Sequence, residues 1–99
     1  MFILELTYTA PLDRIDALLE EHVAWLDRGY AEGVFVASGR KNPRDGGIII
    51  AVGVDRRAVE ARAATDPFAV EGVAEYRVVE FVPTKTAAGL EGYRETLPV

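Results

Sequence analysis

The longest apolar run in the chain is Ile48-Ile49-Ile50-Ala51-Val52-Gly53-Val54. Its branched side chains are typical of a β-strand, and the run is far too short to span a bilayer. A strand with one solvated face alternates apolar and polar residues, whereas this run is apolar at every position. Both faces of the sheet that contains it are therefore expected to be covered.

A turn comes directly before the run, and the residues before that turn are expected to form two strands and a helix. The turn sequence ends in Asp45-Gly46-Gly47, and Asp-Gly is a strong hairpin signal. Residues 34–38, before the turn, are strand-like and are expected to pair with the run. Residues 11–30 form an amphipathic helix, and residues 2–9 form a strand before it. The apolar face of that first strand has period two and consists of Phe2, Leu4, Leu6 and Tyr8.

After the run, the sequence predicts a second helix and a last strand. Asp55 is expected to be the N-cap of the second helix, because a carboxylate at that position accepts hydrogen bonds from the N–H groups of the first turn. The helix is expected to end near Asp66-Pro67, since the residue before proline is biased away from helix. Residues 68–71 form at most one helical turn, and residues 73–82 form the fourth strand. Residues 84–99 have little periodicity and form either a mobile tail or an arm on a neighbour.

The order β-α-β-β-α-β predicts an α+β, ferredoxin-like sandwich, in which a four-stranded antiparallel sheet carries both helices on one face. Because the helices cover only one face, a second copy is expected to cover the other, so that the chain forms a homodimer or higher homo-oligomer through its sheet. The length of 99 residues suits one domain, so residues 1–99 are expected to form a single domain.

Composition excludes several classes of function. The net charge is −5 with acidic and basic residues interspersed, so we expect neither nucleic-acid binding nor attachment to an anionic membrane. No basic region precedes the first apolar residues, so no signal peptide is predicted. Cysteine is absent, which excludes a disulfide framework, and a reduced cytoplasm is the simplest location. One histidine gives no metal-ligand spacing, and no phosphate or dinucleotide motif occurs, so neither a metal nor a cofactor is predicted.

The single histidine, His22, lies on the side of the first helix that should face the core. The residues at helical spacing on that side are Leu12, Ile15, Leu19, His22 and Leu26. Imidazole exchanges protons near neutral pH, so His22 is either a buried core residue with satisfied hydrogen bonds or half of an active site.

A catalytic histidine needs a carboxylate that fixes its tautomer. Asp66 is the eligible partner, because it follows the second helix and the two helices of such a sandwich lie side by side. The alternative is that Asp66 only caps the turn that Pro67 opens. Both interpretations remain open on local sequence.

Candidate substrate-binding residues come from three places. Ser38-Gly39-Arg40 ends the second strand, where a hydroxyl and a cation suit an anionic group, although a solvated strand end has the same composition. Trp25 and Phe68 are the aromatic candidates for the pocket walls. Trp25 equally suits a core or an interface.

Four short motifs carry a resemblance to a known family. They are His22-Val23-Ala24-Trp25-Leu26, Ala37-Ser38-Gly39-Arg40, Asp66-Pro67-Phe68 and Glu80-Phe81-Val82-Pro83-Thr84-Lys85. With these the chain resembles the YciI-like (YCII-related) family of small bacterial proteins, in the dimeric α/β-barrel superfamily. The resemblance implies a ferredoxin-like protomer that dimerises through its sheet. It also implies a catalytic pair formed by His22 and Asp66, with Ser38 in the pocket. Many relatives have proline where this chain has Arg40, which implies a different substrate.

The function that the resemblance implies is cofactor-free general acid–base chemistry, lyase-like or dehydrochlorinase-like, on a small organic substrate. In it His22 removes a proton, Asp66 orients the imidazole, and Ser38, Arg40 and the aromatic walls hold the substrate. Saturable binding without turnover would instead favour a small-ligand-binding module. A pocket too small for a ligand would favour an accessory or assembly domain, and oxygen uptake would favour a cofactor-independent oxygenase.

Overall fold

The structure, a computed structural model, describes residues 1–97. The strands are β1 (Phe2–Tyr8), β2 (Phe35–Arg40), β3 (Gly46–Ala51) and β4 (Ala74–Glu80). The helices are α1 (Leu12–Ala31), α2 (Arg56–Ala63) and the single turn α3 (Pro67–Val70). The strands form one antiparallel sheet in the order β2-β3-β1-β4. This order confirms the predicted α+β, ferredoxin-like arrangement.

One face of the sheet packs against the helices and contains the core. The register pairs Leu4 of β1 with Ile49 of β3 on one side and with Val78 of β4 on the other, so these three side chains share that face. Leu4 and Ile49 are buried, and Phe2 and Leu6 follow at period two along β1. The alternation predicted for the first strand is therefore confirmed.

The opposite face of the sheet is also apolar at its centre. The register aligns Val79, Ile3, Ile50 and Ala37 in a row across all four strands. Within the described chain, this face carries no helix, and Val79 is 37% exposed. The isoleucine run thus supplies apolar side chains to both faces, as its sequence predicts.

Most of the predicted stripe of α1 faces the core, since Ile15 and His22 are buried and Leu19 and Leu26 are half-buried against it. The buried residues of α1 are Ile15, His22, Trp25 and Gly29, whereas Leu12 is 43% exposed. Positions three and four residues after His22 both lie near its face, and the larger indole of Trp25 fills the core there. Gly29 is an interior helix residue because a side chain would collide with Phe35, whose ring lies 2.2 Å from where a Cβ would be.

The last described residues fold back on the start of the chain. Glu95 forms an ion pair of 2.7 Å with the amino group of Met1, and its backbone N–H donates to the carbonyl of Pro83. A 3₁₀ turn, Glu91–Tyr93, lies between these contacts. The final two residues of the tail predicted at 84–99 lie outside the described residues.

Candidate active site

The structure brings His22 and Asp66 together, although 44 residues separate them in the chain. His22 projects from α1, and Asp66 immediately precedes α3, which packs beside α1. The distance from His22 Nδ1 to Asp66 Oδ1 is 2.8 Å, which is a short hydrogen bond between a nitrogen donor and a carboxylate.

The Asp66 carboxylate is fully buried and accepts three hydrogen bonds. Its Oδ1 atom accepts from His22 Nδ1 and, at 3.0 Å, from the backbone N–H of Phe68. Its Oδ2 atom accepts from the hydroxyl of Tyr76. A buried carboxylate costs free energy unless its oxygens are paired, and here both oxygens have donors.

The two interpretations of Asp66 are therefore compatible. The hydrogen bond from Phe68 N–H makes Asp66 the N-cap of α3, with Pro67 in the first turn. The same oxygen atom also accepts from the imidazole. Local sequence suggested a choice between capping and pairing, but one carboxylate has room for both.

Tyr76 of β4 is a third member of this cluster and was not among the predicted site residues. Burial, together with the neighbouring Asp66 carboxylate, raises the pKa of Tyr76 well above the usual value for tyrosine. The phenol therefore keeps its proton, and its O–H donates a hydrogen bond to Asp66. The period-two pattern of β4 was the signal available, because it places Tyr76 on the helix face with Val78.

The raised pKa of Tyr76 predicts a loss of stability at alkaline pH. Below about pH 10 the phenol is protonated in both the folded and the unfolded chain. Above it, the unfolded chain loses the proton and the folded chain keeps it, so the free energy of unfolding falls by up to about 1.4 kcal/mol per pH unit. We expect urea denaturation between pH 9 and 11 to show a shallower decline in Tyr76→Phe. An equal decline would contradict the assignment, and Tyr93→Phe, at an exposed position, is the control.

The remaining nitrogen of His22, Nε2, has no hydrogen-bond partner within residues 1–97. The imidazole stacks with two aromatic rings, with centroid distances of 4.1 Å to Phe68 and 5.7 Å to Trp25. Asp66 Oδ1 accepts a hydrogen bond from the backbone N–H of Phe68, so it is an acceptor. Its partner in the second hydrogen bond, His22 Nδ1, is therefore the donor and carries the proton. Nε2 then has the free lone pair that a general base requires.

His22 lines a cavity of about 140 Å³ between α1, the sheet and α3. The end of β2 forms another wall, where Ser38, Gly39 and Arg40 all line the cavity. The Ser38 hydroxyl lies 2.7 Å from the hydroxyl of Tyr30. Aliphatic residues supply most of the rest of the lining, and they are Leu6, Leu19, Val23, Leu26, Ile48 and Ile49. The cavity is therefore mainly apolar, with polar groups at His22 and at the end of β2.

Of the predicted aromatic walls, Phe68 lines the cavity and Trp25 does not. Trp25 is 3% exposed and packs behind His22, where its indole N–H donates to Thr65 Oγ1 at 2.9 Å. Its assignment to substrate binding is corrected to a core residue that supports the imidazole. The cause is the packing of α1, which places Leu26 rather than Trp25 at the cavity.

Residues 1–97 contain no cluster of three or more histidine, cysteine or acidic side chains arranged to hold a metal ion. Over the same residues, every helix is too short or too polar to cross a membrane.

Comparisons with known proteins identify a common fold and a family. No curated protein gives a significant match. Among solved structures, the chain is similar to 5-chloro-2-hydroxyhydroquinone dehydrochlorinase from Burkholderia phenoliruptrix, in complex with 2,5-dihydroxybenzoquinone. The TM-score is 0.65 at 20% identity, over 82% of this chain and 93% of that chain, which establishes a common fold. The family model described as YCII-related domain matches residues 1–82. The chain therefore belongs to the family of YCII-related domains.

Proposed function

We propose that the protein is a cofactor-free enzyme that carries out general acid–base chemistry on a small organic molecule. The observation that carries the proposal is the 2.8 Å hydrogen bond between His22 Nδ1 and the buried Asp66 carboxylate, at the wall of a cavity. A histidine with one nitrogen fixed by a carboxylate and the other facing a pocket is suited to remove a proton.

In the proposed mechanism His22 Nε2 accepts a proton from a carbon or hydroxyl of the bound substrate. The imidazole becomes positively charged, and the Asp66 carboxylate behind it stabilises that charge. Phe68 and Trp25 hold the ring in plane, so little reorientation is needed when the proton arrives. The electron pair left on the substrate then forms a double bond as an adjacent group departs, which is a lyase-type elimination.

The similar solved structure supports an enzymatic role for this fold. It is named a dehydrochlorinase, and its complex contains a small cyclic compound. Since a shared scaffold does not fix a reaction, we transfer only the possibility of an enzyme and the size class of its substrate. The substrate of the neighbour, 5-chloro-2-hydroxyhydroquinone, is therefore the first compound to test.

The proposed tautomer can be tested directly, because His22 is the single histidine. We expect ¹⁵N spectra of the neutral imidazole to show the proton on Nδ1 in the unmodified protein. In Asp66→Ala the carboxylate is gone, and the proton is expected to move to Nε2. In Asp66→Asn the amide oxygen still accepts from Phe68 N–H and from Nδ1, so the tautomer is expected to stay. A proton found on Nε2 in the unmodified protein would contradict the proposed base.

We also propose that the chain forms a homodimer through the second face of its sheet. The row of Val79, Ile3, Ile50 and Ala37 crosses the whole sheet, and an apolar surface of this kind is stabilised when another copy covers it. Sedimentation equilibrium over a dilution series is expected to give twice the mass of one chain. A Val79→Glu variant is expected to shift the mass towards the monomer, and a monomer at every concentration of the unmodified protein would refute the proposal.

A further inference from the structure

The cavity beside His22 has no acidic side chain in its lining. The ionisable lining residues are His22, Arg40 and Tyr8. This is unusual in a chain that has 16 acidic against 11 basic residues. The nearest carboxylate to the imidazole, Asp66, lies behind it and outside the lining. The cavity wall can thus be neutral or positive, whereas the protein as a whole is negative.

Arg40 supplies the positive charge on the wall opposite the helices. In the sheet, Arg40 pairs with Gly47, which in turn pairs with Leu6 on the helix-packed face. Gly47 has no side chain, so nothing from β3 occupies the space beside the arginine on that face. The next residue along, Lys41, forms an ion pair with Glu5, which belongs to the opposite face.

Arg40 is the cation of this region that forms no direct ion pair. The pKa of the exposed Asp16 carboxyl is lowered mainly by its hydrogen bond from Arg44 and to a smaller extent by the charge of Arg40. Lys41 lies 3.3 Å from the Glu5 carboxylate, and Arg44 is paired with Asp16. Arg40 forms neither an ion pair nor a side-chain hydrogen bond with any residue in 1–97. An unpaired guanidinium presents a planar set of N–H donors that matches a carboxylate or another oxyanion.

We infer that the pocket takes a small organic anion of about one ring, with its charged group at Arg40 and a neutral, proton-bearing end at His22. Size supports one ring, because a cavity of about 150 Å³ is known to hold benzene and this cavity is of about 140 Å³. Charge supports the orientation, since Arg40 attracts an oxyanion while the Asp66 carboxylate behind the imidazole repels it. The inference rests on the proposed function in that both require this pocket to be a ligand site.

Binding of two matched probes, benzoate and benzamide, tests the charge preference without a known substrate. They have nearly the same shape and differ in charge. We expect calorimetry at low ionic strength to give a dissociation constant for benzoate about ten-fold lower than that for benzamide. The amide signals of Gly39 and Gly47, which line the cavity, are expected to shift in NMR spectra.

Three variants locate the charge that is responsible for the preference. In Arg40→Gln the preference for benzoate is expected to disappear, while in Arg40→Lys part of it remains. Lys41→Gln removes the same charge one residue away on the opposite face of the sheet, and we expect the preference to persist.

Equal binding of the two probes, failure of both to bind, or an equal effect of Arg40→Gln and Lys41→Gln would overturn the inference. Because binding is measured and not turnover, the two proposals fail separately. If the protein prefers benzoate but turns over no substrate, the inference of an anion site holds and the proposed enzymatic function is contradicted. If turnover requires His22 but the probes show no charge preference, the proposed enzymatic function holds and the inference of an anion site is contradicted.

Discussion

Asp66→Ala is expected to lower the free energy of unfolding by about 3–5 kcal/mol, because it leaves three buried donors without an acceptor. The donors are the imidazole of His22, the backbone N–H of Phe68 and the hydroxyl of Tyr76. The loss of the N-cap of α3 is part of this effect. Urea denaturation at a fixed protein concentration measures it, since the stability of an oligomer depends on concentration.

Asp66→Asn is the matched control for this prediction. The amide oxygen keeps the hydrogen bonds from Phe68 and His22, and the amide nitrogen can donate to Tyr76, whose hydroxyl also accepts. We therefore expect less than half of the loss seen in Asp66→Ala. Asp27→Ala removes an exposed carboxylate of α1 and is expected to change the stability by less than about 0.5 kcal/mol. Comparable losses in all three variants would contradict the cluster described here.

His22→Asn is expected to lower kcat about 10²–10⁴-fold on any substrate that the protein turns over, because it removes the proposed general base. The asparagine NH₂ can donate to Asp66 in place of Nδ1–H, so the buried carboxylate keeps its donors and the fold is expected to persist. Steady-state rates with 5-chloro-2-hydroxyhydroquinone are the first measurement, and KM is expected to change much less than kcat.

Glu21→Gln serves as the control for His22→Asn, since it changes an exposed ionisable residue next to His22 on α1. We expect its rates to equal those of the unmodified protein. A His22→Asn variant that keeps its kcat within about three-fold would show that the imidazole is not the base. In that case His22 would be a core residue whose hydrogen bond to Asp66 serves the fold alone.

The fold was predictable because its signals are local and periodic. The alternation along β1 and the isoleucine run of β3 show which face each side chain takes, and the structure bears out both. Asp55 was recognisable as a helix N-cap, and its carboxylate accepts from Ala58 N at 2.8 Å. The observed ends of β3 differ from those of the predicted run by two to three residues, since the strand ends at Ala51 and not at Val54. Strand ends depend on which backbone groups find partners, and the sequence does not record this.

The site was less predictable because its contacts are not local. A cap signal at Asp66 is visible in the sequence, but its approach to His22 depends on how α3 packs against α1. The same packing decides that Trp25 is buried and that Leu26 reaches the cavity. Tyr76 could have been assigned to the helix face from its strand pattern. Its contact with Asp66 required the three-dimensional arrangement.

A single oxygen, Oδ1 of Asp66, both begins helix α3 and holds the imidazole of His22. Natural selection for folding alone would therefore preserve Asp66, even in a descendant that had lost its chemistry. The presence of this aspartate in a relative is therefore weak evidence that the relative is an active enzyme. Arg40 is a better indicator of activity, because its side chain lies on the cavity side of the sheet and forms no ion pair within residues 1–97. A change at Arg40 would accompany a new substrate, or the end of catalysis, with little effect on the fold.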